Sequence, residues 1–503
     1  MIVRDDQLAS VNMTTPKVVI VEVTPTPTAT SASTNLVGVA LQATRGTRGA
    51  VGDVSSLVEF EKKFGSYDST LDGYLWVKRF FDAGGSNLKV SRAMSTGGVK
   101  ASVIVDDGAL VTPVDLYTIT ANSEGTWGNN ITHTVKANAN ATGYFDVTIK
   151  NNSTNEQATY VKTTLLSTDA RYLQTLVAND PNKFFTITGY VNGTPDYTVT
   201  STLAGGTNGT TSGSGLSDAE YVGADSSSLR TGLQAFKSST CDGVSLVQSA
   251  RNTDTINTAL ITHVEDYTLS PRRTILNMAN GTTVSAVKVT RASIDSDKVK
   301  IVFPNVKVVN PFSQELETVG NNCFASALDS GLSYHVSASQ RVVNIGVVET
   351  EIDLSSGEID QLTTVQINPI VFRNGKGYIY ASDYTTSSNP QLKQNVVRKA
   401  KDFFARTFDF FLQSFISKPI TPALWKDIRD ALTSFLRIEA DNERIGSSTG
   451  GTPYSVKVDS SNNPPDIVRQ NKIIIEVEIS LLAPADIIIL KLDARQDKTI
   501  VNA

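Results

Sequence analysis

Three histidines, His133, His263 and His335, are the residues of this 503-residue chain best suited to proton transfer, and each lies in a different segment. None stands beside a glycine-rich nucleophile turn. A Ser-His-Asp set assembles only in the fold, so spacing alone does not exclude one. Their contexts are a Thr/Asn-rich strand, a helix face and a stretch after a glycine, which read as ordinary core or surface positions. Cys241 and Cys323 are too few for a disulfide framework, and their apolar surroundings predict buried free thiols in a reducing compartment. Two separated cysteines and scattered histidines offer no metal-ligand spacing. The glycine cluster Leu203-Ala-Gly-Gly-Thr-Asn-Gly209 is followed by no Lys-Ser/Thr and no helix, so it reads as a loop and not a phosphate cradle. Asp353, Glu358 and Asp360 lack the spacing of a calcium loop and read as a solvated turn. The sequence therefore predicts no catalytic residue, no metal site and no cofactor.

The bulk composition narrows the classes further. At ~100–200 residues per domain the chain should hold three or four domains. Lys plus Arg is 45 and Asp plus Glu is 50, a net charge of −5. That near-neutral balance argues against a nucleic-acid binder. The charged fraction of 19% is below the ~25% usual for soluble chains, which suggests a surface covered by something other than water. The opening Met-Ile-Val-Arg-Asp-Asp lacks the basic start and apolar run of a secretory signal. No stretch reaches the ~18 apolar residues of a spanning helix; residues 472–492 are broken by Glu476, Glu478, Pro484 and Asp486. The expectation is a chain made in a cytoplasm that does not touch a membrane.

The elements follow from periodicity. Residues 17–23 are a β-branched run read as a strand, and residues 24–33 form an extended Pro/Thr spacer. The strand either folds back onto its own domain or is donated to another subunit. Residues 36–100 read as an α/β piece, with strand 36–40, a Ser56/Glu59 capping box for helix 57–64, a stop at Gly65 and strand 87–94. Residues 101–215 change character. Over 101–220 the chain carries 23 threonines and eleven acidic against five basic residues, a net −6, in short alternating runs. This is the pattern of an inserted β-sandwich. Residues 216–380 alternate strand and helix: strands 243–248, 274–278 and 300–309, and helices 253–267, 284–294 and 321–330. That order predicts a parallel sheet flanked by helices.

Residues 381–485 form a further α+β unit. Helix 391–416 has Leu392, Val396, Ala400, Phe403, Phe404, Phe408, Phe411 and Phe415 on one face, read as core. Arg398, Asp402 and Arg406 sit opposite, spaced to pair locally. Thr421-Pro422 opens a second helix, and strands follow at 454–459 and 473–481. Residues 391–440 carry nine basic against five acidic residues, a net +4, read as a solvated face or a surface for an acidic partner. Residues 486–492 form a terminal apolar strand beyond the Ala483-Pro-Ala485 break. The chain thus begins and ends with an apolar strand set off by proline, a symmetry suited to strand addition.

With these segments placed, the chain resembles the contractile tail sheath proteins of bacteriophages and related injection systems. The likeness runs in order over most of the chain. It is carried by Asn35-Leu-Val-Gly-Val-Ala40, Ala43-Thr-Arg-Gly46, Phe60-Glu-Lys-Lys-Phe-Gly65, Val77-Lys-Arg-Phe-Phe-Asp-Ala-Gly-Gly85 and Leu88-Lys-Val-Ser-Arg92. Gly125-Thr-Trp-Gly-Asn-Asn-Ile131 and the 203–209 glycines continue it. Ile367-Asn-Pro-Ile370, Gly377-Tyr-Ile-Tyr-Ala-Ser-Asp-Tyr-Thr385, Trp425, Tyr454-Ser-Val-Lys-Val-Asp459, Asn462-Asn463 and Pro484-Ala-Asp486 complete it. The family's tryptophan-glycine with a following arginine-threonine is absent; Tyr380, Ala381 and Thr385 stand in those neighbourhoods, so no role of that arginine carries over.

The resemblance implies a multi-domain α/β fold: a subtilisin-like α/β middle domain without a catalytic triad, an inserted β-sandwich and an α+β C-terminal domain with exchanged terminal strand arms. It implies an N-terminal arm at 1–35 and a C-terminal arm at 486–503. The arm residues are Val18, Val19, Ile20, Val21 and Val23, and Ile487, Ile488, Ile489, Leu490 and Leu492. Lys393, Lys399, Lys401, Lys426 and Arg429 are the candidates for a tube-facing basic surface. The implied partners are other copies of this chain in a helix or stacked rings, a tail tube protein, and baseplate and tail terminator proteins. The implied location is a virion tail assembled in host cytoplasm. A sheath of a bacterial secretion or toxin-delivery machine, and a subtilisin-like hydrolase, are the rival readings.

Overall fold

The computed structural model describes residues 35–482 apart from 110–111, 192, 194–197, 210–215, 227, 344–345 and 448–449, together with the segments Ile2–Arg4 and Ile20–Glu22 and Pro484. The chain divides into two compact units, Ser33–Arg398 and Met1–Ala32 with Lys399–Ala503.

The first unit is built on a mostly parallel sheet. Leu36–Leu41 lies between Asn87–Arg92 and Leu246–Ser249, parallel to both. Thr274–Asn277, Val299–Phe303 and Asn368–Arg373 form a second parallel set. A parallel bridge from Leu246 to Arg273 joins the two sets. Antiparallel strands finish each margin, Val51–Val54 beside Asn87–Arg92 and Gly377–Tyr380 beside Asn368–Arg373. Successive strand residues point to opposite faces, and the cores divide accordingly. Val37, Val39, Leu41, Leu246, Ile275 and Val302 pack with Trp76, Phe80 and Phe324 on one side. Ala40, Val247, Leu276, Ile301 and Phe303 pack with Ile256, Leu260, Val287 and Leu362 on the other. Strands covered on both faces read as near-continuous apolar runs, and Val299–Phe303 is buried at every position, with Lys300 its one charged residue.

Local chemistry sets the helix ends. Ser56 Oγ accepts the Glu59 N–H to start Leu57–Phe64, as its spacing predicts; the Glu59 carboxylate turns back to Ser55 instead of Ser56. Gly65 ends the helix at φ +93°, where other residues are strained. Helix Gly73–Asp82 starts on a glycine because a Cβ there would lie 2.0 Å from the Gln42 carbonyl oxygen.

Two expectations are corrected here. The run 300–309 is two strands, not one: Val306–Val309 leaves the main sheet after Pro304, which has no N–H to continue the ladder, and pairs antiparallel with Leu316–Val319 and Val347–Thr350. Asp353, Glu358 and Asp360 do not form a turn. Ser355 and Glu358 make a reciprocal capping box, and helix Ser356–Thr364 follows.

The threonine-rich insertion forms two antiparallel sheets around one core. One sheet has the order Gln157–Thr163, Phe145–Asn151, Ile131–Ala137, Val199–Thr202; the other has Phe185–Thr188, Asp115–Ala121, Ser102–Asp106. Phe145, Val147 and Ile149 point inward with Tyr117, Ile119 and Phe185, and threonines alternate on the outer face. A bidentate Arg45–Glu156 pair at 2.7 and 2.9 Å ties the insertion to the α/β core.

In the second unit, helix Pro422–Asp441 begins with Thr421 as its cap and packs beside a two-stranded antiparallel hairpin, Tyr454–Lys457 with Glu476–Ile479. Helix Asn395–Leu412, whose first residues belong to the first unit, starts later than the 391 expected. Residues 393–394 instead bond back to Tyr384 and Thr385. Its phenylalanine stripe is core: Phe403, Phe404, Phe411 and Phe415 are buried, and Phe435 of the second helix meets Phe403 and Phe408 with ring centroids 6.4 and 6.2 Å apart. The opposite face is not solvated as expected. Asp402 and Arg406 are buried, and Arg398 pairs with Asp297 at 3.0 Å. Near the N-terminus, Ile20–Glu22 pairs in parallel with Ile2–Arg4, a partner not foreseen for the 17–23 strand.

Candidate functional site

Two of the three histidines and both thiols are locked into cores. His133 lies inside the insertion, its Nε2 3.0 Å from the Tyr117 hydroxyl, and burial lowers its pKa to about 4. His263 lies 3.0 Å from Arg272 Nη1, and burial followed by that guanidinium lowers its pKa to about 3. Arg272 itself donates to the backbone carbonyls of Phe236 and Cys241. Neither histidine bonds a serine, and His335 is exposed beside Tyr334. A cleft of about 500 Å³ opens at the carboxyl ends of the parallel strands, the usual ligand position in such sheets. Its lining includes Trp76, Arg79, Asn252, Asn280, Asn322 and Cys323, without a histidine. Burial pushes the Cys323 thiol up to about 12, so it stays protonated and is no nucleophile. Cys241 is raised by burial as well. Among the described residues no cluster of His, Cys, Asp and Glu could hold a metal, and no helix is long and apolar enough to cross a membrane.

The strongest polar construction is a buried junction at the root of helix Asn395–Leu412. Lys300 Nζ pairs with Asp383 Oδ1 at 2.6 Å and Arg273 Nη1 with Asp329 Oδ2 at 2.7 Å. All four side chains are at most 5% exposed. Asn395 couples the pairs, donating through Nδ2 to Asp329 at 2.9 Å and to Asp383 at 3.0 Å. The Ala338 N–H and Ser337 hydroxyl donate to the other Asp383 oxygen. Burial pushes the Asp383 carboxyl up, and Lys300 with these donors outweighs it, so the group stays below its ordinary range and ionised. The junction unites residues 122 positions apart in sequence, so no local spacing announces it.

The surface candidates separate. Lys401 and Lys426 are exposed and Arg429 is half-buried; Lys426 and Arg429 both approach Asp430, at 3.6 and 3.7 Å. Lys393 is half-buried with Nζ 4.3 Å from the Tyr384 ring centroid. Lys399 is 2% exposed, so it is removed from any exposed basic face: its helix is covered on that side as well. Of the arm residues, the backbone of Ile20 and Val21 lies in the strand pair described above. Val18, Val19, Val23, Ile487, Ile488, Ile489, Leu490 and Leu492 lie outside the described residues. The hairpin Tyr454–Lys457 with Glu476–Ile479 has no third strand among the described residues, and its open edges are where an added strand would pair.

The chain has the fold of contractile tail sheath proteins. The sheath tail protein from Listeria innocua superposes with a TM-score of 0.63 at 14% identity, covering 86% of this chain and 90% of its own. The helical sheath of the anti-feeding prophage in its contracted state matches with a TM-score of 0.56 at 14% identity, covering 96% and 99%. The PVC sheath complex of an extracellular contractile injection system, also contracted, matches at 0.56 and 10% identity, covering 96% and 98%. No protein-family model and no curated protein sequence matches the chain.

Proposed function

We propose that this chain is a structural subunit of a contractile sheath, polymerising around a tail tube and shortening to drive that tube through a target envelope. The observation that carries the reading is end-to-end likeness. A contracted sheath of an injection particle covers 96% of this chain and 99% of its own length, and His133, His263 and both thiols are held as core. The same coverage supports an extracellular injection particle as the setting; a phage tail is the second reading, supported by the sheath tail protein of Listeria innocua.

In this reading the Ser33–Arg398 unit is the body, its sheet a subtilisin-like scaffold that works without a triad. The acidic insertion faces outward. The C-terminal unit lies against the tube, with Lys401, Lys426 and Arg429 as contacts; Lys393, in the body, is the further candidate. Strands from the two terminal arms of neighbouring copies add to the hairpin of a third. A heterologous contact repeated without closing generates a helix or a stack of rings. Contraction requires no nucleotide if the extended lattice is a trapped, higher-energy packing. Tube, baseplate and terminator proteins are the partners, and the particle is assembled in the host cytoplasm.

Electron microscopy of the purified chain tests this. Hollow striated tubes are expected, and deletion of residues 1–30 is expected to leave monomers. A chain that stays monomeric at high concentration, or tubes that survive the deletion, would overturn the reading or its arm component respectively.

A further inference from the structure

The hairpin carries an unbalanced charge pattern on its solvent face. Ser455 stands opposite Glu478 and Lys457 opposite Glu476, with Lys457 Nζ 3.9 Å from the Glu476 carboxylate. Glu478 therefore faces a neutral serine, two residues from another glutamate on the same face of an edge strand. Opposite charges on adjacent strands stabilise pairing and like charges oppose it. The other face is apolar and half-buried, formed by Tyr454, Val456, Val477 and Ile479, and beyond the strand ends Ile474 and Leu482 stand 40% and 45% exposed. The edge thus presents a half-buried apolar shoulder on one face and excess negative charge on the other. A complementary strand must be apolar at alternate positions and carry a cation between them.

The chain contains one such sequence near its C-terminus, Ile487-Ile-Ile-Leu-Lys-Leu492. Strand alternation that turns Ile488, Leu490 and Leu492 toward the shoulder turns Lys491 outward. We infer that the Glu476–Ile479 edge selects residues 487–492 of a second copy through Lys491 beside Glu478, and that the same glutamates reject the N-terminal arm, which offers Glu22 at the alternate position. The proposal rests on the sheath reading for its setting and makes one charge pair the determinant of which arm docks where.

A charge exchange tests it. At low salt, Glu478→Lys and Lys491→Glu are each expected to lower the polymerised fraction in a sedimentation assay by about tenfold. Combining them should restore assembly, and the single defects should shrink near 1 M salt, where the Debye length is ~3 Å. Single variants that polymerise like the parent, or a combination that stays defective, would overturn the proposal. A second measurement separates this from failure of the sheath reading itself: fluorescence anisotropy of a labelled 485–495 peptide on the soluble full-length chain. Binding lost on Lys491→Glu in the peptide and regained with Glu478→Lys in the protein supports the pairing even if the parent forms no tubes. Equal binding of both peptides, or of neither, overturns it.

Discussion

Two of the lysine–carboxylate pairs in this chain behave in opposite ways. At the buried junction, Lys300 and Asp383 are 2.6 Å apart and at most 4% exposed, with Asn395, Ser337 and Ala338 filling the remaining bonds of the acid. On the hairpin, Lys457 and Glu476 are 3.9 Å apart and about half exposed. Water screens the second pair, so its net contribution is ~0–1 kcal/mol. The first has lost its water, and its partners are bound to each other by necessity. The difference teaches what each is suited to. A desolvated pair fixes one geometry, here where the helix Asn395–Leu412 leaves the sheet. A screened, incompletely balanced pair leaves charge for a strand that arrives later.

Three changes would break or sharpen that contrast. The largest effect is expected for Asp383→Ala, which strands Lys300 in the interior and leaves Asn395 without one acceptor; a loss of about 3–5 kcal/mol should appear in urea unfolding. A loss below about 1 kcal/mol would mean that water reaches the junction. The second concerns charge the interior avoids. His133 is held neutral, with its folded pKa lowered to about 4, against about 6.5 in the unfolded chain. As pH falls below about 6.5 the unfolded state takes a proton that the fold refuses. Stability is therefore whole above that value and is lost progressively down to about pH 4. His133→Gln should flatten the slope of stability against pH in that window; an unchanged slope would assign it to other groups. The smallest effect is expected for Glu476→Gln, within about 0.5 kcal/mol of the parent in the same urea assay. A loss above about 2 kcal/mol would move the hairpin pair into the first class.

What the sequence disclosed depended on how local the cause was. The Ser56 and Thr421 caps, the Phe403–Phe415 stripe and the alternation of the insertion need only neighbours within a few residues, and each appears where its spacing puts it. Ser355 and Glu358 carried the same capping signal, obscured by reading Asp353 and Asp360 with them as an acidic cluster. Lys399, Asp402 and Arg406 looked solvent-facing because a polar side chain on a helix usually is; their burial is a tertiary fact that helix periodicity does not carry. The junction could not be read at all, since Arg273, Lys300, Asp329, Asp383 and Asn395 meet only once the sheet has formed. The candidate edge was legible in part: its alternation of Ile, Glu and Val was plain, but the neutral residue opposite Glu478 emerges only from the pairing register.

The margins of the large sheet carry a further implication. One ends in the four-residue strand Val51–Val54, where Asp53 pairs with Lys89 and accepts a bond from Lys63. The other, Gly377–Tyr380, is already bonded by residues 340–343 along its outer side. A short charged border and a covered one are both poor templates for lateral growth. Growth of the large sheet from body to body is therefore disfavoured, and edge pairing between crowded copies is left to other strands of the molecule.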